Sequence, residues 1–175
     1  MIDRREFVAA LGAWGLLLAA PPVRAQLNPR FSAYPFSLGI ASGYPSPDGF
    51  VLWTRLAPVP DEPRGGLAPE AIAVRWEIAS DEAMRDIVAT GVELAQPDWA
   101  HSVHVEVQGL QPARQYWYRF TSGDAVSATG RTRTAPAALA AVERLRYILA
   151  SCQHYEHGYF GAYRTEPRER ALAML

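Results

Sequence analysis

The sequence lacks several features that would place it quickly in a functional class. All 17 of its Lys and Arg residues are arginine, so it contains no lysine. Its formal net charge is only −1. A chain so close to neutral gives no sign of a nucleic-acid partner or of an anionic membrane surface. It has a single cysteine, which excludes an intrachain disulfide. What is left is a globular composition, with 49% hydrophobic and 20% charged residues.

The N-terminal apolar run is too short to form a stable membrane span. Val8–Ala20 has 13 residues, whereas a transmembrane helix needs about 20. The run follows Arg4 and Arg5 and precedes Ala25, a small residue suited to a signal peptidase. We therefore predict that residues 1–25 are a signal peptide. An uncleaved anchor is the alternative.

The residues around Arg4 and Arg5 indicate the export route. Asp3–Val8, with Phe7 two places after the second arginine, resembles the twin-arginine signal. That pathway carries folded proteins, often with a metal already inserted. The sequence therefore predicts a periplasmic or secreted protein that uses the twin-arginine export machinery.

Residues 26–134 have the pattern of an antiparallel β-sandwich of the fibronectin type III or immunoglobulin-like kind. Short β-prone segments alternate with turns rich in glycine and proline, and no segment predicts a long helix. Several segments alternate apolar and polar residues, which is typical of strands with one buried face. The predicted strands are Phe36–Gly43, Phe50–Arg55, Val74–Ala79, Ile87–Leu94, Val103–Val107, Tyr116–Phe120 and Ala125–Thr134.

The stretch Leu110–Tyr118 carries a more specific signal. Its Leu-x-Pro and Tyr-x-Tyr pattern is similar to the tyrosine corner of fibronectin type III domains, in which a tyrosine hydroxyl bonds to the chain upstream. We predict that Tyr116 supplies this hydroxyl. Simple core packing of Tyr116 and Tyr118 is compatible with that role.

Two groups of side chains have both a functional and a structural interpretation. His101 and His104 lie three residues apart, which on a strand places them on opposite faces, so exposed strand positions are favoured over a shared metal. The tryptophans of the domain suggest either a sugar-binding surface or core packing, and their place in or beside strands favours the core for most of them. They are Trp53, Trp76, Trp99 and Trp117.

A second domain is predicted after the sandwich. Residues 135–144 read as a linker rich in alanine, and residues 145–175 as the start of a truncated α/β domain. Leu145–Ala150 is a predicted buried strand, and Ser151-Cys152-Gln153-His154 follows where α/β proteins place their chemistry. By itself Cys152 is compatible with an inert buried thiol, with a nucleophile activated by a base, or with a thiolate metal ligand.

Three stretches together resemble the alkaline phosphatase D family of secreted metallophosphoesterases. They are Gly39–Pro45 through Asp48–Pro58, the tyrosine-corner stretch, and Ala150–Gln153 with Gly158–Phe160 and Ala162–Tyr163. The resemblance covers roughly residues 34–164. It implies a small β-sandwich followed by a large metallophosphoesterase domain that hydrolyses phosphate monoesters and diesters. It also implies a site with ferric iron and calcium, in which Cys152 is an iron ligand.

The sequence departs from that family in two places. Tyr44 stands where the family usually has aspartate. No Gly-Asp-x-x-Tyr motif, Asn-His pair or later histidine and aspartate ligands follow Cys152, and Thr165–Leu175 does not resemble the family's continuation. We therefore expect an N-terminal fragment that is inactive by itself. The alternative is a stand-alone secreted β-sandwich that serves as a binding module.

Overall fold

The computed structural model describes residues 25–142, which form nine β-strands and no α-helix. Two short 3-10 turns, Pro63–Gly66 and Pro97–Trp99, lie between strands. No helix in this part of the chain has the length and apolarity to cross a bilayer. The strands are β1 Ala25–Gln26, β2 Ile40–Ser46, β3 Gly49–Arg55, β4 Ala71–Ala79, β5 Ile87–Ala95, β6 Ser102–Val107, β7 Gln115–Ser122, β8 Ala125–Val126 and β9 Gly130–Arg133.

The strands form two sheets. The larger sheet has the order β5-β4-β7-β9, extended by the two-residue strands β1 on β4 and β8 on β7. The smaller sheet has the order β2-β3-β6. All pairs are antiparallel except β1 with β4. The predicted mainly-β sandwich of the fibronectin type III kind is confirmed for the described residues.

The core lies between the two sheets and follows from the alternation of each strand. In β7 every second residue is buried, and in β6 the three valines are buried while His104 and Glu106 are exposed. Because consecutive side chains point to opposite faces of a sheet, each strand contributes one row to the core. The central buried side chains are Phe36, Phe50, Leu52, Leu56, Ile72, Val74, Ile78, Val103, Val105, Val107, Tyr116, Tyr118 and Phe120.

The first predicted strand, Phe36–Gly43, is displaced along the chain. The structure has a turn at Phe36–Gly39, closed by the Gly39 amide, which donates to the Phe36 carbonyl at 2.9 Å. Strand β2 begins at Ile40 and continues through Ser46, across the predicted turn formers Tyr44 and Pro45. The register between β2 and β3 shifts there, so these turn formers make a β-bulge instead of ending the strand.

The last predicted strand, Ala125–Thr134, is two short strands. They are separated by a break at Ser127, where the Phe120 amide donates to the Ser127 hydroxyl at 2.9 Å. The Ser127 amide in turn donates to the Phe120 carbonyl. A serine side chain that competes for backbone hydrogen bonds interrupts the regular ladder, and alternation alone does not reveal such a break.

Candidate functional site

The predicted metal ligand, Cys152, lies outside the described residues, as do the strand Leu145–Ala150 and His154. Residues 1–24, which are all but the last residue of the predicted signal peptide, also lie outside the described residues. The described residues are therefore the domain that precedes the predicted catalytic segment. Within residues 25–142 no group of three histidine, cysteine, aspartate or glutamate side chains is placed to hold a metal ion.

The two histidines of this domain have unrelated surroundings. His104 is exposed on β6, as expected. The expectation that His101 is also an exposed strand residue is wrong, because His101 lies in the turn before β6 and is completely buried. The turn from Pro97 to His101 has left-handed backbone at Ala100 and His101, which carries the ring inward, away from the strand alternation.

His101 joins two loops of the sandwich. Its Nε2 lies 3.1 Å from the Glu70 carbonyl, at the end of the loop before β4. A carbonyl oxygen only accepts, so Nε2 carries the proton in this contact. Its own carbonyl accepts from the Leu56 amide at 3.1 Å. Nδ1 is buried without a hydrogen-bond partner. These contacts assign His101 a structural role in the described domain.

The tyrosine corner predicted at Tyr116 is present. The Gln111 amide donates to the Tyr116 hydroxyl at 3.0 Å, five residues upstream, and Tyr116 is 3% exposed. Thr134 ties down the same corner, because its hydroxyl donates to the Gln111 carbonyl at 2.6 Å. The loop between β6 and β7 is thus fixed to the core by one phenol and to the end of β9 by one threonine.

Replacing Tyr116 with phenylalanine is expected to lower the free energy of unfolding by about 1–2 kcal/mol, because the Gln111 amide loses its acceptor while the ring still fills the core. Urea titration of the two proteins measures this. Tyr34→Phe is the matched control, because the Tyr34 hydroxyl makes a longer bond of 3.3 Å at an exposed position. Equal losses of unfolding free energy in the two variants would show that the tyrosine corner does not stabilise the domain.

Tyr118, two residues further on, is a second buried phenol. Burial raises the pKa of Tyr118 to about 12, and a hydrogen bond with Ser42 partly opposes that shift. Since the folded-state pKa lies above the unfolded value of 10.0, ionisation favours the unfolded chain. The stability that this group contributes is complete below pH 10 and is lost as the pH rises toward 12.

We therefore expect the urea midpoint to fall more steeply with pH in the parent than in Tyr118→Phe between pH 10 and 12. The variant lacks the ionising phenol but keeps the ring that packs edge-on against Phe120. Circular dichroism at a series of pH values gives both curves. If the urea midpoints of the two proteins fell equally with pH, the raised pKa of Tyr118 would be contradicted.

The tryptophans do not form the core as expected. Trp53 and Trp117 are half-buried on the outer faces of the two sheets, because Leu52 and Thr54 on one strand and Tyr116 and Tyr118 on the other take the core positions. Trp99 is 73% exposed. Of the four tryptophans in the described domain, only Trp76 packs against the core.

Tyr44 has a position that sequence patterns did not predict. Its side chain is 82% exposed, its φ is +49°, and it sits in the bulge of β2 next to Pro45. Left-handed backbone is uncommon for a bulky residue. Six other non-glycine residues of the described domain share it, namely Arg64, Met84, Ala100, His101, Ala113 and Leu139. The signal in the sequence was the cluster Gly43-Tyr44-Pro45, which indicated a turn and did not distinguish a turn from a bulge.

A cavity of about 230 Å³ opens between the N-terminal residues and the loop before β4. Gln26, Arg30 and Glu70 contribute polar groups to its lining, and Gln26 Nε2 donates to Glu70 Oε2 at 2.5 Å. Sites for small organic ligands are usually about 300–1,000 Å³. This cavity is below that range, and two of its polar side chains, Gln26 and Glu70, are hydrogen-bonded to each other.

The strand order, the closed core and the tyrosine corner define the class of the described domain as a fibronectin type III-like β-sandwich. The family follows from comparison with known proteins. The family model for the PhoD-like phosphatase N-terminal domain matches residues 21–136, and the chain belongs to this family.

Two relatives extend that match. The chain is 47% identical over 175 residues to alkaline phosphatase D of Bacillus subtilis (strain 168), a match that covers 96% of this chain and 30% of that protein. A solved structure described as the structure of PhoD is 53% identical, with a TM-score of 0.71, and the match covers 78% of this chain and 26% of that one. The chain therefore spans about a third or less of the length of the relatives it matches.

Proposed function

We propose that this chain is the N-terminal part of an exported, metal-dependent phosphoric ester hydrolase. The observation that carries the proposal is the agreement of two independent regions. Residues 21–136 match the N-terminal domain of PhoD-like phosphatases, and Ser151-Cys152-Gln153 follows an apolar segment just beyond that domain. The substrates are then phosphate monoesters or diesters, as the family resemblance implies.

Cys152 is the proposed iron ligand, with calcium as the second metal. Thiolate sulfur is a suitable ligand for iron, and the metals would polarise the phosphoryl oxygens in a complete site. The described residues do not complete such a site, because they contain no grouping of three metal-binding side chains. We expect the remaining ligands outside residues 25–142, and no catalytic step is assigned to the sandwich.

The 175-residue chain is accordingly expected to show no phosphatase activity. Purified chain supplied with iron and calcium is compared with Cys152→Ala for hydrolysis of p-nitrophenyl phosphate and of a bis-p-nitrophenyl diester. Equal, background rates are the expected result, since one thiolate cannot close a site with several metals. Hydrolysis by the parent above the Cys152→Ala control would overturn the proposal that the chain is inactive alone.

Export through the twin-arginine pathway is part of the proposal. Arg4 and Arg5, followed by Phe7 and the apolar run, support it. Replacing both arginines with lysine is expected to leave the precursor in the cytoplasm, as cell fractionation would show. Unchanged export of this variant would point to another route.

A secreted binding module is the second candidate, and the closed core is the observation that favours it. The residues of the hydrophobic cluster all lie between Phe36 and Phe120. If the sandwich is such a module, residues 26–134 produced alone should unfold in one cooperative transition. A chain 26–134 without cooperative unfolding would eliminate this candidate.

A further inference from the structure

We propose that Gln26 forms a pyroglutamate at the N-terminus of the processed chain, and that Glu70 slows this ring closure while the domain is folded. The inference rests on the export proposed above and on the removal of residues 1–25 that the sequence predicts. It goes beyond the proposed hydrolase activity, because the modification involves neither a metal centre nor a phosphate ester.

Processing before Gln26 gives the chain a reactive N-terminus. The predicted signal peptide ends at Ala25, so the first residue of the processed chain is a glutamine with a free α-amino group. The chain contains no lysine. The α-amino group of Gln26 is therefore the only primary amine of the processed chain, and its loss can be measured directly.

An N-terminal glutamine carries both reactants of the ring closure. The neutral α-amino nitrogen attacks the side-chain carbon Cδ, and a five-membered lactam forms. The bond between Cδ and Nε2 breaks, and Nε2 leaves as ammonia with the proton that the amine releases. Because an α-amino group has an ordinary pKa of about 7.7–8.0, part of it is neutral and nucleophilic near neutral pH. The reaction is intramolecular and needs neither an oxidant nor a cofactor.

The structure fixes the backbone of Gln26 and leaves room at its side chain. Gln26 lies in β1, where it pairs with Ile72 of β4, and Ala25 pairs with Ala71. Gln26 itself is only partly buried. It lines the partly open cavity of about 230 Å³ described above. The lactam ring and the departing ammonia therefore both have space beside the strand.

Glu70 binds the amide group that must react. Gln26 Nε2 donates to Glu70 Oε2 at 2.5 Å. Ring closure requires that Cδ approach the α-amino nitrogen to about 3–3.5 Å, and Nε2 must take up a proton before it leaves. A carboxylate that accepts from Nε2 restrains the rotation of the amide and supplies no proton. Both effects slow the loss of ammonia while the hydrogen bond persists.

The charge of Glu70 acts in the same direction on the amine. β1 runs parallel to β4, and Glu70 directly precedes β4. The α-amino nitrogen therefore lies on the side of Gln26 that is directed toward Ala71 and Glu70. A nearby carboxylate favours the protonated form of an amine, and a protonated amine is not a nucleophile. Glu70 is thus a positioning residue that protects Gln26 in the folded domain.

Substitutions at Glu70 test its role. We expect Glu70→Ala to form the lactam severalfold faster than the parent, and Glu70→Gln, which keeps an acceptor oxygen but loses the charge, to lie between them. The Glu70 carbonyl that bonds to His101 belongs to the backbone and stays in place. Glu62→Ala, which removes an exposed carboxylate earlier in the same loop, is the matched control and should cyclise at the parent rate.

Amine labelling followed by trypsin measures the modification. The processed chain, residues 26–175, is released from a fusion with Gln26 first, incubated, and reductively methylated, which labels only the α-amino group of a chain without lysine. Trypsin then gives the peptide Gln26–Arg30, which is labelled where the amine survived and lighter by one ammonia where the ring formed. Gln26→Ala cannot form the ring and should stay labelled. In urea that unfolds the domain, the parent and Glu70→Ala should cyclise at equal rates.

The exported protein gives the same test in the cell. Trypsin cleaves after Arg24, so an unprocessed chain yields the peptide Ala25–Arg30, whereas a chain processed before Gln26 yields Gln26–Arg30. We expect Gln26–Arg30 without a label and lacking one ammonia.

Faster loss of label in folded Glu70→Ala than in the parent and in Glu62→Ala, with equal rates in urea, supports the proposal. Equal rates in folded parent and Glu70→Ala overturn it, as does a parent that keeps its label throughout. Recovery of Ala25–Arg30 from the exported protein also overturns it, because Gln26 is then not the first residue. The two peptides separate a failure of processing from a failure of cyclisation, and neither readout depends on hydrolase activity.

Discussion

Replacing Phe120 with alanine is expected to lower the free energy of unfolding by about 3–5 kcal/mol, the range measured when large buried aromatic residues are truncated. Phe120 is completely buried in β7, opposite Trp76 of β4, and packs edge-on against Tyr118. Its cross-strand partner Trp76 and its ring neighbour Tyr118 both belong to strands of the large sheet, which limits how far they can move to fill the cavity. The loss is a large part of the roughly 5–15 kcal/mol that stabilises a typical domain.

Urea denaturation measures this loss as a fall in the midpoint with little change in slope. Val92→Ala is the control, since it removes apolar atoms from a side chain that is 58% exposed. Its expected cost is no more than about 0.5 kcal/mol. If Phe120→Ala cost as little as Val92→Ala, the core between the two sheets would not be packed as described.

Replacing Gly49 with alanine is expected to have a similarly large effect for a different reason. A Cβ at Gly49 would lie 1.8 Å from the Val107 carbonyl oxygen and 2.9 Å from the carbonyl carbon. Both atoms belong to the backbone of β6, so no side-chain rotation relieves the clash. The ends of β3 and β6 must separate, and we expect a cost of about 3 kcal/mol or more, at or beyond the upper end of ordinary overpacking.

Gly109→Ala is the matched control for Gly49→Ala. Gly109 has a φ of +81°, but no atom lies within 4 Å of the position that its Cβ would occupy. Alanine there meets only the backbone penalty of about 1–2 kcal/mol. The two variants therefore separate the free-energy cost of a steric clash from that of a left-handed backbone conformation. A Gly49→Ala protein at least as stable as Gly109→Ala would show that β3 and β6 do not approach as closely as the structure indicates.

Both large effects follow from tight packing, although the packed groups differ. Phe120 fills the space between the sheets, and Gly49 permits two strands of one sheet to meet where the β2–β3 turn crosses the end of β6. The Leu110 amide also donates to the Asp48 carbonyl at 2.8 Å in this region. Stability at this end of the domain thus depends on backbone contacts, and at the centre on side-chain volume.

The sequence by itself determined the fold class, the tyrosine corner and the family resemblance. These depend on local patterns: the period-two alternation in β6 and β7, the turn residues between strands, and the spacing from Leu110 to Tyr116. A period of two follows from strand geometry alone, so it is visible without knowledge of neighbouring strands. The role of Cys152 as a metal ligand stays a prediction, since it lies outside the described residues.

Only the tertiary structure decided which of several equivalent interpretations applied. His101 is buried because a left-handed turn directs its ring toward the Glu70 carbonyl, and Trp53 faces outward because Leu52 and Thr54 face the core. Tyr44 and Pro45 form a bulge because β3 pairs on both sides of them. The contact of His101 joins residues 31 positions apart in sequence, and the bulge depends on the register with a neighbouring strand. A local pattern contains no information on the partner that a neighbouring strand or loop supplies.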